Sequence, residues 1–439
     1  MATQINATTQ NLIIKKNALL SLVLKIVEYS LSFFSAPLLL HCLGEYKYGI
    51  YATLLSFVSW IYYFDFGIGG GLRNRVTEFL VQNDYDSITK CINVAYICMG
   101  CISLTFFIII LLLSFSFNFE NMLNMHLKEE NVDVIIVVSF LFVCLNLIFS
   151  LVINLLYSLQ KTALVYAFGI ISKLIMLLAL IVYYLFQIKL MLFFVVLEGG
   201  VQFVKNLIGF IYLYKYNSKL LPSFNNFDIS YVKSIVGFGL QIFCMQICAL
   251  VLNATDNILI SKYFGAQDVT PYSLCQKYFS IIEALFVALI SPLWTTYTRA
   301  YVLKDKKYIV STLSNALILY AFTFVLIIIS LYFFKSFMRF YLRIDLNYPN
   351  GLPFLFAVYF ALLMFSHIFS SFVHGISKLK LTTIACIVGA LLNIPLSIYS
   401  SVSLKLGING IIIGSIVSLL ISTTAYVYTS IKEIKKLGA

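Results

Sequence analysis

The sequence carries little charge. Asp, Glu, Lys and Arg make up only 11% of its 439 residues, whereas about a quarter of a soluble domain is charged. Its hydrophobic fraction is 61% and its mean hydropathy is +0.95. This balance excludes an ordinary soluble enzyme, a disordered protein and a secreted disulfide scaffold, because each of those classes has a more polar composition.

Motifs for nucleotide, redox and metal chemistry are also scarce. No Gly-rich loop is followed by Lys-Ser or Lys-Thr, so ATP is not expected to drive the protein. We interpret the glycine run at residues 69–71 as a loop rather than a nucleotide cradle. Cys98 and Cys101 have redox or metal spacing, but no His or further Cys pair lies at ligand spacing. We therefore expect packing cysteines, no metal site and no cofactor.

Long apolar runs dominate the sequence. A membrane span needs about 20 apolar residues, and the runs between charges predict twelve spans, numbered here in chain order. Their approximate bounds are 17–40, 48–68, 90–115, 132–157, 162–186, 190–214, 233–261, 270–298, 309–334, 350–373, 381–403 and 407–430. The first run is too long for the core of a cleavable signal peptide. The loops between spans are too short to hold a folded soluble domain.

The net charge of +12 comes from basic residues that lie mainly in the short loops between spans. With the N-terminus in the cytoplasm, most of the 30 Lys and Arg residues fall on the cytoplasmic side, as the positive-inside rule expects. The loop 335–349, with three basic residues outside, runs against this bias. We predict a multi-pass membrane protein with both termini in the cytoplasm and no nucleic-acid partner.

Two segments half a chain apart resemble each other. At residues 38–51 and 259–272 an apolar helix end meets a Gly, and a Tyr follows seven residues later. These segments end spans one and seven, and both leave the membrane on the same side. The repeat predicts an all-α polytopic protein of about twelve transmembrane helices. Its two six-helix bundles, residues 1–216 and 217–439, would surround a central cavity.

Several charged residues lie deep in the predicted spans, although a charge at mid-bilayer costs about 2.5–3.5 kcal/mol or more. They are Lys25 and Glu28 on span one, Lys173 on span five, Glu198 and Lys205 on span six, Asp256 on span seven, and Lys277 and Glu283 on span eight. These four lysines and four acids would suffice to pair with each other and hold helices together. We favour a hydrated central cavity, because spans one and seven are equivalent in the repeat. In that cavity the lysines would meet an anionic headgroup and the acids would bind coupling cations. For His367 and His374, on one face of span ten, we expect packing or interface roles.

Two stretches carry a family resemblance. The first is PLLLHCLGEYKYGIY at residues 37–51, continued by DFGIGGGLRN at residues 65–74, and the second is TDNILISKYFG at residues 255–265. Together with the length, the span count and the basic cytoplasmic loops, they resemble the polysaccharide-transporter branch of the multidrug/oligosaccharidyl-lipid/polysaccharide exporter superfamily. Within that branch the chain is similar to bacterial O-antigen flippases.

This resemblance implies two six-helix bundles that form a V around a central cavity in the bacterial inner membrane. It implies alternating access from cytoplasm to periplasm, with an undecaprenyl-diphosphate-linked oligosaccharide as cargo and a gradient of H⁺ or Na⁺ as the drive. The partners it implies are the lipid-linked sugar, membrane lipid and other polysaccharide assembly proteins.

The resemblance also implies roles for individual residues. The cavity lysines Lys25, Lys173, Lys205 and Lys277 would meet the headgroup, and Glu28, Asp256 and Glu283 would couple transport to the cation. Lys25, Glu28 and Asp256 are the best candidates by position. Asp65, Arg73 and Asn74 match the exit motif of span two, which we interpret as a cytoplasmic gate or a structural turn.

Two other functions stay open. A drug or metabolite cation antiporter of the same superfamily would share the fold, although only Glu28 and Glu198 lie deep in the first half as acids for such a substrate. A membrane polysaccharide polymerase or glycosyltransferase would need a sizeable loop with catalytic acids or arginines. None of the loops here combines paired carboxylates with a basic cluster.

Overall fold

A computed structural model describes residues 65–116, 130–186, 190–222, 228–342 and 348–437, together with residues 20, 21, 23–28, 30 and 31. Within these ranges the secondary structure is helical and contains no strand. The helices are α1 (Ile68–Gln82), α2 (Tyr85–Ser116), α3 (Val132–Phe149), α4 (Leu151–Ser158), α5 (Thr162–Leu185), α6 (Met191–Tyr216), α7 (Ile229–Tyr263), α8 (Ala266–Val302), α9 (Lys306–Leu342), α10 (Leu352–Gly375), α11 (Lys380–Ile398) and α12 (Ile408–Lys436). The predicted all-α polytopic fold is confirmed.

Ten helical segments in the described ranges are long and apolar enough to cross a membrane. They coincide with predicted spans three to twelve, where α3 and α4 together form one segment, Val132–Ser158. The described residues between 20 and 31 are helical and belong to predicted span one. Most of span two and the first copy of the repeat, residues 38–51, lie outside the described residues. The approximately twelve-helix count is consistent with this arrangement.

Several helices continue beyond the apolar runs that predicted them. Helices α8 and α9 have 37 residues each, or about 55 Å, against a hydrocarbon core of about 30 Å. Lys306 and Lys307 begin α9 and Arg339 lies in its last turn, so charge ends the apolar run without ending the helix. Pro271 and Pro292 lie within α8, while Pro395 lies near the end of α11 and a π-helical turn, Tyr399–Ser403, follows.

The interpretation of residues 69–71 as a loop is wrong, because this glycine run forms the first turn of α1. The turn comes just before it, where Phe66 has φ +50° and Gly67 has φ +65°. Oδ1 of Asp65 accepts a 2.8 Å hydrogen bond from the Gly67 amide. The glycines serve backbone packing. A Cβ on Gly71 would lie 2.6 Å from the carbonyl oxygen of Ile235 on α7.

Two compact units make up the chain, Met1–Leu240 and Gln241–Ala439. The boundary falls inside α7, whereas the sequence predicts a division at residue 216, and that earlier division remains a prediction. One core of the first unit gathers residues of α1, α2, α3, α4 and the start of α7, among them Leu72, Ile92 and Ile235. A second core lies between α3, α5 and α6.

Large aromatic side chains fill the core of the second unit. Tyr272, Phe279 and Phe286 on α8 are fully buried, and Phe279 stacks on Phe334 of α9 at 6.1 Å between ring centres. Small residues instead join α11 and its π-helical turn to α12. Oγ of Ser400 donates a 2.6 Å hydrogen bond to the carbonyl of Gly410, and a Cβ on Gly414 would lie 2.7 Å from the Ser397 amide nitrogen. We call this contact the small-residue seam.

Candidate functional site

Lys25 and Glu28 form an ion pair in the first unit. They lie three residues apart on a helical stretch, with the Lys25 Nζ 3.0 Å from Oε2 of Glu28, and both side chains are mostly buried. The ammonium also lies 5.3 Å from the ring centre of Tyr166 on α5, a cation–π distance. Gly169, one turn further along α5, makes room for the carboxylate, since a Cβ there would lie 3.2 Å from its Cδ.

The other predicted charges of the first half join this pair. Lys205 on α6 lies within electrostatic range of Glu28, Lys173, Glu198 and Lys25. Its ammonium also donates a 2.6 Å hydrogen bond to Gln202. The structure therefore brings together all five charges that the sequence placed inside the first bundle. Because three are lysines and two are glutamates, the group carries one excess positive charge when every member is ionised.

Arg73 extends this cluster. It is 5% exposed on α1, and its guanidinium carbon lies 4.7 Å from the ring centre of Tyr157. Tyr157 is hydrogen-bonded to Tyr166 and lies within electrostatic range of Glu28. A path of aromatic and charged groups thus links Arg73 with the Lys25–Glu28 pair. We call these residues (Lys25, Glu28, Arg73, Tyr157, Tyr166, Lys173, Glu198 and Lys205) the first-unit charge cluster.

The exit motif of predicted span two divides into two environments. Asp65 belongs to the turn that begins α1, where it accepts the Gly67 amide. Arg73 and Asn74 are buried one to two turns further on, 5% and 1% exposed, and Ser158 of α4 donates a 3.1 Å hydrogen bond to the Arg73 carbonyl. Their role as a gate remains a prediction, while the geometry around Asp65 is that of a structural turn.

Asp256 occupies a separate site in the second unit. The side chain is buried on α7, and its Oδ2 accepts a 2.6 Å hydrogen bond from the Tyr272 hydroxyl on α8. Oγ of Ser415 on α12 lies 3.0 Å and 3.2 Å from the two carboxylate oxygens. Nδ2 of Asn393 on α11 donates to that same Oγ at 3.0 Å. Tyr272 and Ser415 therefore join α8 and α12 to the carboxylate on α7, and Asn393 of α11 contacts it through Ser415.

Glu283 has a partner that sequence reasoning assigned to packing. Its Oε1 lies 2.9 Å from Nε2 of His367 on α10. Tyr359, about two turns before His367 on α10, lies within electrostatic range of both Asp256 and Glu283. The packing role expected for His374 fits its surroundings, since its ring lies 5.0 Å from that of Trp294. Lys277, by contrast, is exposed on α8 and pairs with nothing in the described part of the chain.

Several residues of these sites were missed at the sequence level. The tyrosines Tyr157, Tyr166 and Tyr272 look like ordinary members of an aromatic-rich sequence. Only Tyr166 carries a usable signal, because it shares one helical face with Gly169 and Lys173 through spacings of three and four residues. The pairing of His367 with Glu283 joins residues 84 apart, a distance that helical periodicity does not reach.

Comparison with known proteins gives two overlapping family matches. The family model described as "Polysaccharide biosynthesis protein" matches residues 14–297, and the model described as "MatE" matches residues 241–399. A relative in Yersinia pseudotuberculosis, named as a candidate O-antigen export protein, is 25% identical over 434 residues and 91% of each chain is covered. A Salmonella typhimurium relative, named as a candidate O-antigen transporter, is 23% identical over 431 residues and 95% of each chain is covered.

Solved structures share the fold at low sequence identity. A crystal structure of MATE in the straight conformation superposes with a TM-score of 0.77 at 13% identity, covering 97% of this chain and 96% of that one. An outward-facing multidrug resistance transporter of the MATE family and MOP superfamily gives 0.73 at 15% identity, covering 97% of each chain. At these identities the likeness establishes the fold alone.

Proposed function

Because this chain belongs to the polysaccharide-transporter branch of the multidrug/oligosaccharidyl-lipid/polysaccharide exporter superfamily, we propose that it is a flippase for a lipid-linked oligosaccharide. The cargo is an O-antigen or similar repeat unit on undecaprenyl diphosphate. The protein moves it from the cytoplasmic to the periplasmic leaflet by alternating access, driven by a cation gradient. Membership in the superfamily makes the protein a membrane transporter. The substrate, the direction and the coupling are the proposal.

The first-unit charge cluster is the observation that carries the substrate assignment. A diphosphate–sugar headgroup cannot cross about 30 Å of hydrocarbon unaided, because its charges and hydroxyls would lose their water. The cluster offers Lys25, Lys173, Lys205 and Arg73 within one membrane bundle, with an excess of positive charge. Lys and Arg bind phosphate oxygens through charge-assisted hydrogen bonds. Tyr157 and Tyr166 provide ring faces and hydroxyls beside those cations.

The coupling acids divide between the two units. Glu28 lies in the first-unit charge cluster, where it pairs with Lys25. Asp256 and Glu283 lie in the second unit, the first bound by hydroxyls and the second by His367. In this proposal their loading and unloading with a cation drives the return of the empty transporter. Lys277 is the fourth predicted headgroup lysine. It lies at an exposed position on α8 and is not a member of the first-unit charge cluster.

The membrane orientation is part of the same proposal. The basic loops support an orientation with both termini on the cytoplasmic side of a bacterial inner membrane. Reporter fusions should place residues 120 and 345 outside and residue 305 inside. The opposite pattern would contradict the orientation. The lipid-linked sugar and membrane lipid are then the direct partners, and other polysaccharide assembly proteins are candidates on either side.

A second candidate function is export of a drug or metabolite cation. The MatE family match to residues 241–399 favours it, since it covers the Asp256 and Glu283 sites. Uptake and efflux of fluorescent organic cations in proteoliposomes separate the two functions. Proton- or sodium-dependent efflux of such cations, without any movement of lipid-linked sugar, would support the antiporter. A polysaccharide polymerase is the least supported alternative, because the relatives are named as transporters.

Complementation of a strain that lacks its O-antigen flippase tests the main proposal. The wild-type chain should restore surface polysaccharide and remove the undecaprenyl-linked repeat units that accumulate in the inner leaflet. Asp256→Asn and Glu28→Gln should insert normally but fail to restore it. Asp305→Asn, at an exposed position between α8 and α9, is the matched control and should behave as wild type. Full activity of both site variants would refute the coupling roles.

A further inference from the structure

We propose that the Asp256 site takes a proton and rejects sodium. This inference rests on the coupling role given to Asp256 above and names the ion. The site consists of Asp256 on α7, Tyr272 on α8, Ser415 on α12 and Asn393 behind Ser415 on α11. Ser415 and Asn393 are positioning residues for the carboxylate, and neither is charged.

Two hydroxyl groups donate hydrogen bonds to the carboxylate. Tyr272 reaches Oδ2 through its hydroxyl at 2.6 Å, and Ser415 lies at hydrogen-bond distance from both oxygens, at 3.0 Å and 3.2 Å. The orientation of Ser415 follows from Asn393, whose Nδ2 donates to the Ser415 Oγ at 3.0 Å. Oδ1 of Asn393 in turn faces the Thr255 hydroxyl at 3.4 Å. Ser415 therefore receives one hydrogen bond and sends its own hydrogen to Asp256.

This donor arrangement is unfavourable for sodium. A hard cation is held by several oxygen lone pairs at once, but a hydroxyl that donates to a carboxylate points its hydrogen into the site. Sodium would have to turn the hydrogens of Tyr272 and Ser415 away from Asp256. Water cannot readily complete the shell either, because Tyr272, Asn393 and Ser415 are 1%, 0% and 4% exposed.

A proton needs no such rearrangement. Protonated at Oδ1, the carboxyl can donate to the second lone pair of Ser415, while Tyr272 continues to donate to Oδ2. Neutralisation also removes a buried charge, which is costly without a cationic partner. Two ionisable groups act on the Asp256 carboxylate: Tyr272 contacts it, and Tyr359 lies within electrostatic range. Cys275 in turn lies within electrostatic range of Tyr272, and Glu283 within range of Tyr359. In the described residues, α11 and α12 add only neutral groups to the contacts of Asp256.

Infrared spectroscopy of the full chain in lipid nanodiscs tests this inference. The carbonyl band of a protonated carboxyl that disappears in Asp256→Asn, but persists in Asp305→Asn, reports the proton on Asp256. We expect its titration midpoint to be the same in sodium and in choline buffers, and radioactive sodium binding to be equal in wild type and Asp256→Asn. A midpoint that sodium shifts by one pH unit, a tenfold competition, would overturn the inference. Sodium binding lost in Asp256→Asn would overturn it too.

Ser415→Ala provides a second arm that does not depend on transport. Loss of one donor to the ionised carboxylate should move the midpoint upward by about one pH unit, whereas an unchanged midpoint would contradict the assigned positioning role. These spectra separate the two proposals. A proton-only Asp256 in a chain that fails complementation would leave this inference standing and refute the flippase. Sodium competition in a chain that restores surface polysaccharide would refute the proton selectivity of Asp256 and leave the flippase proposal standing.

Discussion

Nε2 of His367 lies 2.9 Å from Oε1 of Glu283, and the contact joins α10 to α8 inside the second unit. The two side chains are 31% and 21% exposed, so the pair is partly screened rather than sealed in the core. The contact therefore gives Glu283 a hydrogen-bond partner on a neighbouring helix.

The first prediction concerns this pair. His367→Leu should reduce export several-fold, because Glu283 loses a partner worth about 1 kcal/mol at this partial exposure. His367→Gln retains a donor at a similar distance and should keep most of the activity. Restoration of surface polysaccharide, normalised to the amount of protein in the membrane, measures both variants. Equal loss in the two would show that the imidazole itself is required, and equal retention would show that the pair is dispensable.

The second prediction concerns Lys25. If its charge meets the headgroup, Lys25→Ala should lose far more export than Lys25→Arg, which keeps the charge and the contact with Tyr166. Lys307→Ala, at an exposed position at the start of α9, is the matched control and should export normally. Export is measured as the ratio of surface to inner-leaflet repeat units. Equal loss in Lys25→Ala and Lys25→Arg would indicate a packing role instead.

The third prediction concerns the contact between α7 and the turn that precedes α1. A Cβ on Gly239 would lie 2.6 Å from the carbonyl oxygen of Phe66, so Gly239→Ala must force the two backbones apart. We expect overpacking to cost about 1–3 kcal/mol and to lower the Tm of the protein in detergent. Gly100→Ala is the control. It enters open space on α2 and should leave the Tm unchanged or raise it, since Ala favours helix over Gly.

The fourth prediction concerns pH and lies outside the membrane spans. Asp84 precedes α2 and accepts hydrogen bonds from the amide and hydroxyl of Ser87. These bonds lower the pKa of Asp84 below its ordinary value. A carboxyl group whose pKa is depressed in the folded state stabilises the fold at pH values above its unfolded-state pKa of about 3.9. This stabilisation is lost as the pH falls through the folded-state pKa. Asp84→Asn should therefore lower the Tm near neutral pH.

The same variant should match wild type in acid, below the folded pKa of Asp84, because both side chains are then uncharged. A Tm difference that stays constant across the whole range would show that the hydrogen bonds, rather than the charge, stabilise this helix start. Asp86→Asn, at an exposed position in the first turn of α2, is the control and should leave the Tm near neutral pH close to that of wild type.

The predicted fold followed from hydrophobicity along the chain. Ten of the predicted spans match described helices because an apolar stretch of about 20 residues has no stable alternative to a helix in lipid. The glycine run before Leu72 was misread because its glycines allow close contact with Asn154 and Ile235, which lie far along the chain. Composition alone makes such a run look like a flexible loop.

The candidate sites were predictable where one helix carries the signal. Lys25 and Glu28 pair, and their spacing of three residues places them on one helical face. Lys173, Glu198 and Lys205 lie near this pair because charged side chains of a membrane bundle face the protein interior rather than lipid. The second-unit site was only half predictable. Asp256 was identified as a buried acid in an apolar span, but its partners come from three other helices. No periodicity in the sequence selects Tyr272, Ser415 or His367 from the many other Tyr, Ser and His positions.

The small-residue seam has a mechanical consequence for the second unit. With backbones this close, α11 and α12 cannot slide past each other without separating, so we expect them to move as a single rigid pair. Asn393 and Ser415 then approach or leave the carboxylate together. The charge of one aspartate thus contributes to the contact of this pair with α7, beside the neutral bonds from Thr255 to Asn393 and from Tyr426 to Met245.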